Sequence, residues 1–255
     1  MRWILGAILV VSVSLTGCAT KKEERAALEA KKDSIVLLNT QLAAVYMQRK
    51  QYEIAQQHIS KALAVGPNSP AANNVMAVLQ WRMKNYDEAA KYFNKTLKLD
   101  PKNAEARNNY GAFLCERGQI DKAVKQFEIA LADPHYPTPA QANFNAGMCL
   151  MKKPAPVPAE RYLREALQLD PKLPGALLEM AKISFDSGNT YSARAFIERY
   201  FEVAQDTPQS LLLAVKIESA LDAKDAEASY ALRLKGKFPN SPEAQELHRL
   251  SLKGK

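Results

Sequence analysis

Hydrophobic positions recur along this chain with the spacing of amphipathic α-helices, most clearly between Tyr86 and Gly118. Small and aromatic residues take opposite sides of the stretch that begins at Tyr86 and includes Phe93. This stretch ends at Asp100-Pro101, because proline cannot continue a helix and also restricts the residue before it. A second helical stretch follows and ends at Gly118. No alternating run of Val, Ile and Thr predicts a strand, so we predict an all-helical chain.

The second of these stretches opens a pattern of large and small residues that occurs in a known repeat. Tyr110-Gly111, Ala123, Phe127 and Ala130 have the spacing of the tetratricopeptide repeat, a helix-turn-helix unit of about 34 residues. The resemblance implies an all-α, right-handed superhelical solenoid in which neighbouring repeats bury one another's apolar sides. It also implies an extended binding groove, lined by the first helix of each repeat, in place of a closed active-site cavity.

Prolines that close the second helix of a repeat fix the register of the chain. They are Pro67, Pro101, Pro171 and Pro239. We predict six repeats and a capping helix whose outer face is more polar. The predicted repeats are 36–69, 70–103, 104–139, 140–173, 174–207 and 208–241, followed by the capping helix 242–255. The fourth repeat departs from the pattern with a proline-rich turn at 154–158, and the sixth has Glu227 where a small residue is expected.

The N-terminus has the features of a bacterial lipoprotein signal. A basic start precedes an apolar run, 3–15, that is too short for a comfortable transmembrane helix. The sequence that follows, Leu15-Thr16-Gly17-Cys18, resembles a lipobox, so we predict a signal peptide at 1–17 and acylation of Cys18. The alternatives are an ordinary signal peptide with a chance cysteine, or an uncleaved anchor. Because Ala19 and not Asp follows, resemblance to Gram-negative lipoproteins implies an outer-membrane, lipid-anchored protein on the periplasmic face.

Charge and motif content restrict the function of the rest of the chain. The segment 18–35 is predicted to be a lipidated tether, since it is short and carries charges of both signs. The net charge of +8 is spread over the repeats without a Lys/Arg tract, so no nucleic-acid partner is expected. His58, His135 and His248 lack metal-ligand spacing, and no phosphate-binding or nucleophile motif occurs. We therefore predict no catalytic residue, metal or cofactor, and no enzyme activity.

Two further cysteines lie near the ends of the first helices of adjacent repeats. They are Cys115 in the third predicted repeat and Cys149 in the fourth. An oxidising periplasm favours a disulfide when two Cα atoms lie within about 7 Å. We predict this bridge, which would join the two repeats, while two buried free thiols remain the alternative.

Positions 2, 5, 9 and 12 of each repeat are expected to face the binding groove. Trp81, the only tryptophan of the predicted mature chain, is the strongest candidate, since an aromatic anchor beside Met and Leu is typical of a peptide-binding surface. The alternative is that Trp81 packs between repeats. The candidates in the first two repeats are Leu37, Thr40, Ala44, Met47, Ala71, Asn74, Val78 and Trp81. Those in the later repeats are Asn108, Phe144, Met148 and Met151, followed by Lys182, Phe185 and Lys216 at a more basic end.

One run of residues is more specific than the generic repeat. Asn-Asn-Tyr-Gly-Ala-Phe-Leu-Cys at 108–115, continued by Gly118, Ala130, Pro134 and Tyr136-Pro137 and resumed at 143–149, resembles the PilF/PilW family of type IV pilus biogenesis lipoproteins. This resemblance implies a monomeric pilotin that binds the pilus secretin and promotes its outer-membrane localisation and multimerisation. A pilus stability factor, a general periplasmic scaffold for envelope or cell-wall assembly, and a regulator of an enzyme remain alternatives. Loss of twitching and pili without wider envelope defects would separate the pilus role from the scaffold.

Overall fold

The chain folds as a series of antiparallel helix pairs. The computed structural model describes residues 16–153 and 157–253, with the side chains of 16–19, 157–158 and 252–253 left undescribed. Within these residues it contains thirteen α-helices and no strand, so the all-α prediction is confirmed. The helices are α1 (Thr16–Gln48), α2 (Tyr52–Val65), α3 (Pro70–Arg82), α4 (Tyr86–Leu99), α5 (Ala104–Glu116), α6 (Ile120–Leu131), α7 (Pro139–Leu150), α8 (Val157–Leu169), α9 (Pro174–Asp186), α10 (Thr190–Val203), α11 (Pro208–Ala220), α12 (Lys224–Lys237) and α13 (Pro242–Lys253).

The turn inside five of the helix pairs contains a residue in the left-handed conformation. Lys50, Lys84, Gly118, Gly188 and Asp222 all have φ between 56° and 80°. The amide of Lys84 donates to the carbonyl of Trp81, and the amide after it donates to the carbonyl of Gln80. This pair of bonds is the Schellman motif, in which glycine is usual because it has no Cβ. Three of the five turns hold the same conformation with a larger side chain.

Two compact units divide the chain at residues 1–106 and 107–255, within α5. In the first unit α1 packs against α2, and α3 packs against α4. Alanines at 43, 55, 62 and 72 are fully buried around Ile59 and let the helices approach closely. Large side chains such as Phe93 fill the remaining space, and Phe93 is itself fully buried.

The segment predicted as a tether is part of α1, which runs without interruption from Thr16 to Gln48. Nearly all side chains described between Thr20 and Ser34 are exposed. A helix rises about 1.5 Å per residue, so the eighteen residues from 18 to 35 span about 27 Å as a rod. The tether role stays a prediction, and a continuous helix in this segment would hold direction as well as distance.

In the second unit α11 is covered by the capping helix α13. Leu247 and Ala244 of α13 join a buried cluster with Leu211, Leu212 and Val215 of α11. A second and larger cluster around Leu177 and Ile197 joins α8 to α11. The apolar end of this unit is therefore closed by an additional helix.

The connection after α10 lacks the closing proline and is held by ion pairs. Asp206 is buried, and its carboxylate accepts hydrogen bonds from the guanidinium of Arg233 and from Lys237. Arg233 also stacks on Phe201, with 4.8 Å from its central carbon to the ring centroid. Burial opposes the charge of Asp206, but the bonds from Arg233 and Lys237 outweigh it and lower the pKa of this carboxyl.

Candidate functional site

A cleft lies on the first unit beside the connection between α2 and α3. Its volume is about 480 Å³. Gly66 makes the approach of α1 possible, because a Cβ there would lie 2.7 Å from Cγ2 of Val36. The side chain of Leu37 is 59% exposed at the edge of the cleft. The lining residues are Asp33, Val36, Leu37, Thr40, Gly66, Pro67, Asn68, Ser69 and Ala71.

Three of the predicted groove residues line this cleft: Leu37, Thr40 and Ala71. Asp33 and the connection 66–69 were missed, because the repeat positions used for the prediction lie only on first helices. The continuation of α1 through Asp33 and the turn signal Gly66-Pro67-Asn68 could have indicated them. The cleft is more apolar than polar, and Asp33 is the one charged residue among its described lining.

Two of the predicted polar groove residues in this unit are buried and bonded within the protein. The hydroxyl of Thr40 donates to the carbonyl oxygen of Val36 at 2.7 Å. The amide of Asn74 donates to the carboxylate of Glu105 at 3.3 Å. Burial leaves these side chains little surface to offer a partner, and their place in a binding groove stays a prediction.

The apolar candidates of the first unit are partly accessible. Ala44, Met47, Val78 and Trp81 are all half-buried. Met47 packs against the core around Ile59. The guanidinium carbon of Arg82 lies 5.2 Å from the centroid of the Trp81 ring, which is within the range of a cation–π contact. Trp81 thus presents part of an aromatic ring beside a positive charge.

In the second unit the predicted residue Asn108 of α5 is joined to α7 by an amide–amide hydrogen bond. Asn108 is buried and accepts a hydrogen bond from the side-chain amide of Asn145 at 3.0 Å. Phe144 is half-buried against the start of α9, where a Cβ on Gly175 would lie 2.7 Å from the ring. Met148 and Met151 are half-buried on α7 and at its end. Asn108 therefore braces two first helices and offers little free surface.

A second cleft, of about 750 Å³, lies where α9, α11, α12 and α13 meet. Phe185 and Lys216 line it, together with Leu247 and Leu250. The ammonium of Lys216 donates to the carboxylate of Glu246 on α13 at 2.7 Å. That bond, despite some opposing burial, lowers the pKa of Glu246. The end predicted to be basic is thus partly neutralised by the capping helix, although Lys182 is exposed.

The two cysteines of the second unit are placed as a disulfide requires. Cys115 and Cys149 are buried, their Cα atoms are 5.7 Å apart, and their sulfur atoms are at bonding distance. Lys152 donates to the carbonyl oxygen of Cys115 at 3.2 Å, which adds a polar contact at the same point. The pair connects α5 to α7.

The remaining predictions concern the N-terminal signal, the proline-rich turn and the histidines. The signal segment 1–15 and the side chain of Cys18 are outside, as is the turn 154–156. No helix in the described ranges is long and apolar enough to cross a membrane. Among the same residues no group of three or more His, Cys, Asp or Glu side chains could hold a metal ion. His58 stacks on Tyr46 with ring centroids 5.4 Å apart and contacts Asn39 at 3.0 Å, a packing role.

Tetratricopeptide repeat families match the chain between residues 33 and 217. The matched residues are 33–102 for one such family, 114–174 for another, and 80–143 with 156–217 for a third. The chain also shares its fold with yeast Tom70, with a TM-score of 0.63 at 19% identity over 82% of this chain and 44% of that one.

Two type IV pilus proteins resemble the chain over almost its whole length. The type IV pilus assembly protein PilF of Pseudomonas aeruginosa is 30% identical over 240 residues, which is 94% of this chain and 95% of the relative. A solved structure of Pseudomonas aeruginosa PilF has a TM-score of 0.79 at 29% identity, covering 86% of this chain and 99% of that one. The crystal structure of PilW, described as a widely conserved type IV pilus biogenesis factor, has a TM-score of 0.74 at 36% identity, covering 84% and 98%.

Proposed function

Because this chain belongs to the PilF/PilW family of tetratricopeptide-repeat proteins of type IV pilus biogenesis, we propose that it is a pilotin for the pilus secretin. In this proposal it is an outer-membrane lipoprotein that binds secretin subunits and promotes their localisation and multimerisation. The role is one of protein binding and not of catalysis. Similarity over the full length of the pilus relatives is the observation that supports it most directly.

The cleft beside Leu37 is the proposed docking point for a secretin segment. It combines an open apolar floor from Val36, Leu37 and Ala71 with a single carboxylate at Asp33. Such a surface suits a short peptide that inserts an apolar side chain and carries a basic residue next to it. Trp81, half-buried on α3, is a further candidate contact for this segment.

The predicted lipid anchor and this cleft lie on one helix. Cys18 is in the first turn of α1, and Leu37 lies nineteen residues further along the same helix. The helical rod holds the cleft about 28 Å from the anchor, so a bound secretin segment stays near the membrane surface. Tethering of carrier and cargo to one membrane raises their effective concentration without additional contacts.

The experiment that tests the proposal measures heat-resistant secretin multimers and their membrane fraction in cells with and without the protein. We expect multimers to vanish or to remain at the inner membrane in its absence. If normal multimers form in the outer membrane but pili are lost, the pilotin role is refuted. A later role in fibre stability would then explain the loss of pili. Envelope defects beyond the pilus would favour the general scaffold.

The anchor has a separate test. Labelled palmitate should be incorporated into the wild-type chain and not into a Cys18→Ser variant, and the variant should lose its outer-membrane fraction. Incorporation into the variant would refute acylation at this cysteine.

A further inference from the structure

The outer face of α1 carries an apolar stripe that is separate from the cleft. Ile35, Leu38, Leu42 and Val45 follow one another at intervals of three and four residues, so they lie along one side of the helix. Leu38 is 56% exposed and Val45 is 40% exposed, while the other two are half-buried. Of the α1 side chains that pack on the core, Val36, Ala43 and Met47 lie on the opposite side of the helix, and Tyr46 lies beside the half-buried Leu42.

The first helices of later repeats show which element covers the corresponding face. One repeat after Leu38 lies Ala72, and three repeats after that lies Ala176, and both are fully buried. The residue one repeat after Val45 is Leu79, which is also fully buried. In those repeats the second helix of the preceding pair packs against the first helix, as α2 does on α3 and α8 does on α9. In α1 the same two positions carry Leu38 and Val45, and no helix pair precedes α1 among the described residues.

The opposite end of the chain shows that an exposed repeat face is usually protected. There α13 covers α11, and its own outer side carries polar residues such as Gln245 and Arg249. Terminal repeats need a polar outer face to remain soluble. The outer face of the first repeat instead exposes a leucine and a valine. This composition fits a surface that another helix covers.

Charges at the two ends of the stripe restrict the occupant. Lys31 precedes Ile35 by four residues and Arg49 follows Val45 by four, so both lie on the line of the stripe and both are exposed. They are about 27 Å apart along the helix. A second copy of α1 would place these cations against the same cations in either orientation. A helix with a carboxylate at each end of its own apolar stripe would pair with both.

We propose that the outer face of α1 is a docking site for an amphipathic helix of another protein, with Asp or Glu residues bracketing its apolar stripe. The incoming helix takes the place that a preceding second helix would occupy in the stack. This surface lies on a different side of α1 from Leu37, so the proposal does not depend on the secretin cleft.

The test uses two synthetic 20-residue helical peptides and the chain from Ala19 to Lys255, which retains every helix pair. Both peptides carry four leucines at intervals of three and four, with a pair of glutamates at each end in one and a pair of lysines in the other. Fluorescence anisotropy gives the affinity of each. We expect the glutamate peptide to bind about tenfold more tightly or better, and the difference to shrink in high salt.

Matched variants locate the binding surface. Leu38→Asp and Val45→Asp should each weaken binding of the glutamate peptide at least about tenfold. Leu37→Asp is the control, because Leu37 is similarly exposed and lies one residue away on a different face. Circular dichroism must show equal helicity for all three, which exposed positions should permit.

Three results would overturn the proposal. The peptides could bind equally, or Leu37→Asp could weaken binding as much as Leu38→Asp does. Alternatively, sedimentation could show a dimer of the unmodified chain that Leu38→Asp dissociates, in which case the occupant is a second copy.

Discussion

Reduction of the bridge between Cys115 and Cys149 should destabilise the second unit selectively. The two cysteines are 34 residues apart in sequence and are both buried between α5 and α7. A bridge over a loop of that size removes chain entropy from the unfolded state that corresponds to about 3.8 kcal/mol at 25 °C.

The assay compares urea unfolding of the oxidised protein with that of the reduced protein and a Cys115→Ala/Cys149→Ala variant. Far-ultraviolet circular dichroism follows both units, whereas Trp81 fluorescence reports on the first unit, where that residue lies. We expect reduction to lower the midpoint of the dichroism transition clearly and that of the fluorescence transition less. A thiol titration of the unfolded, unreduced protein should detect neither cysteine.

The reasoning would be refuted if two free thiols titrate in the oxidised sample, or if reduction leaves both transitions unchanged. In that case the cysteines act as buried apolar side chains. The double alanine variant would then lose only the small packing contribution of two sulfur atoms.

Three further predictions concern a turn, an ion pair and the cleft. Lys84→Gly should raise the urea midpoint, by about 0.5–1 kcal/mol in unfolding free energy, because glycine relieves the left-handed strain at φ 64°; a lower midpoint would contradict this. Asp206→Asn should cost about 1–3 kcal/mol at pH 7 in thermal or urea unfolding. The folded pKa of Asp206 is lowered, so the Asp206 carboxylate stabilises the fold above its unfolded pKa of about 4. This stabilisation is lost as pH falls through the folded pKa. The free energy of unfolding of the variant should therefore fall less steeply with decreasing pH than that of the wild type. Leu37→Asp and Trp81→Ala should each weaken secretin binding about tenfold with helicity intact, whereas Leu232→Asp, an exposed leucine on α12, should not; equal effects at all three would reject the cleft.

Much of the fold followed from local chemistry that a sequence displays directly. Pro101 cannot continue the helix that precedes it, and the alternation of small and large residues around Phe127 favours a close-packed helix pair. The all-helical class and the membership of the PilF/PilW family were predicted on such residues and are confirmed. The left-handed turn position was visible only at glycines such as Gly118, since Lys84 adopts the same conformation under the control of its neighbours.

The predicted groove shows where local reasoning loses accuracy. Repeat positions identified Leu37 and Thr40 at the cleft, but they could not show that Thr40 bonds back to α1 or that Asn74 bonds to Glu105. They also placed Lys216 on a basic surface without its partner Glu246, which comes from a helix thirty residues away. The bonds of Asn74 and Lys216 depend on distances between helices, which periodicity does not contain, whereas the bond of Thr40 lies within α1.

By itself the sequence determined the all-helical class and the family, because both depend on short-range rules that a repeat displays many times. The tertiary structure decided which of the repeated positions are surface. Leu38 and Ala72 hold the same place in successive repeats, yet one is exposed and the other is fully buried. The difference arises because burial depends on whether a neighbouring helix is present, a property of the stack and not of the residue.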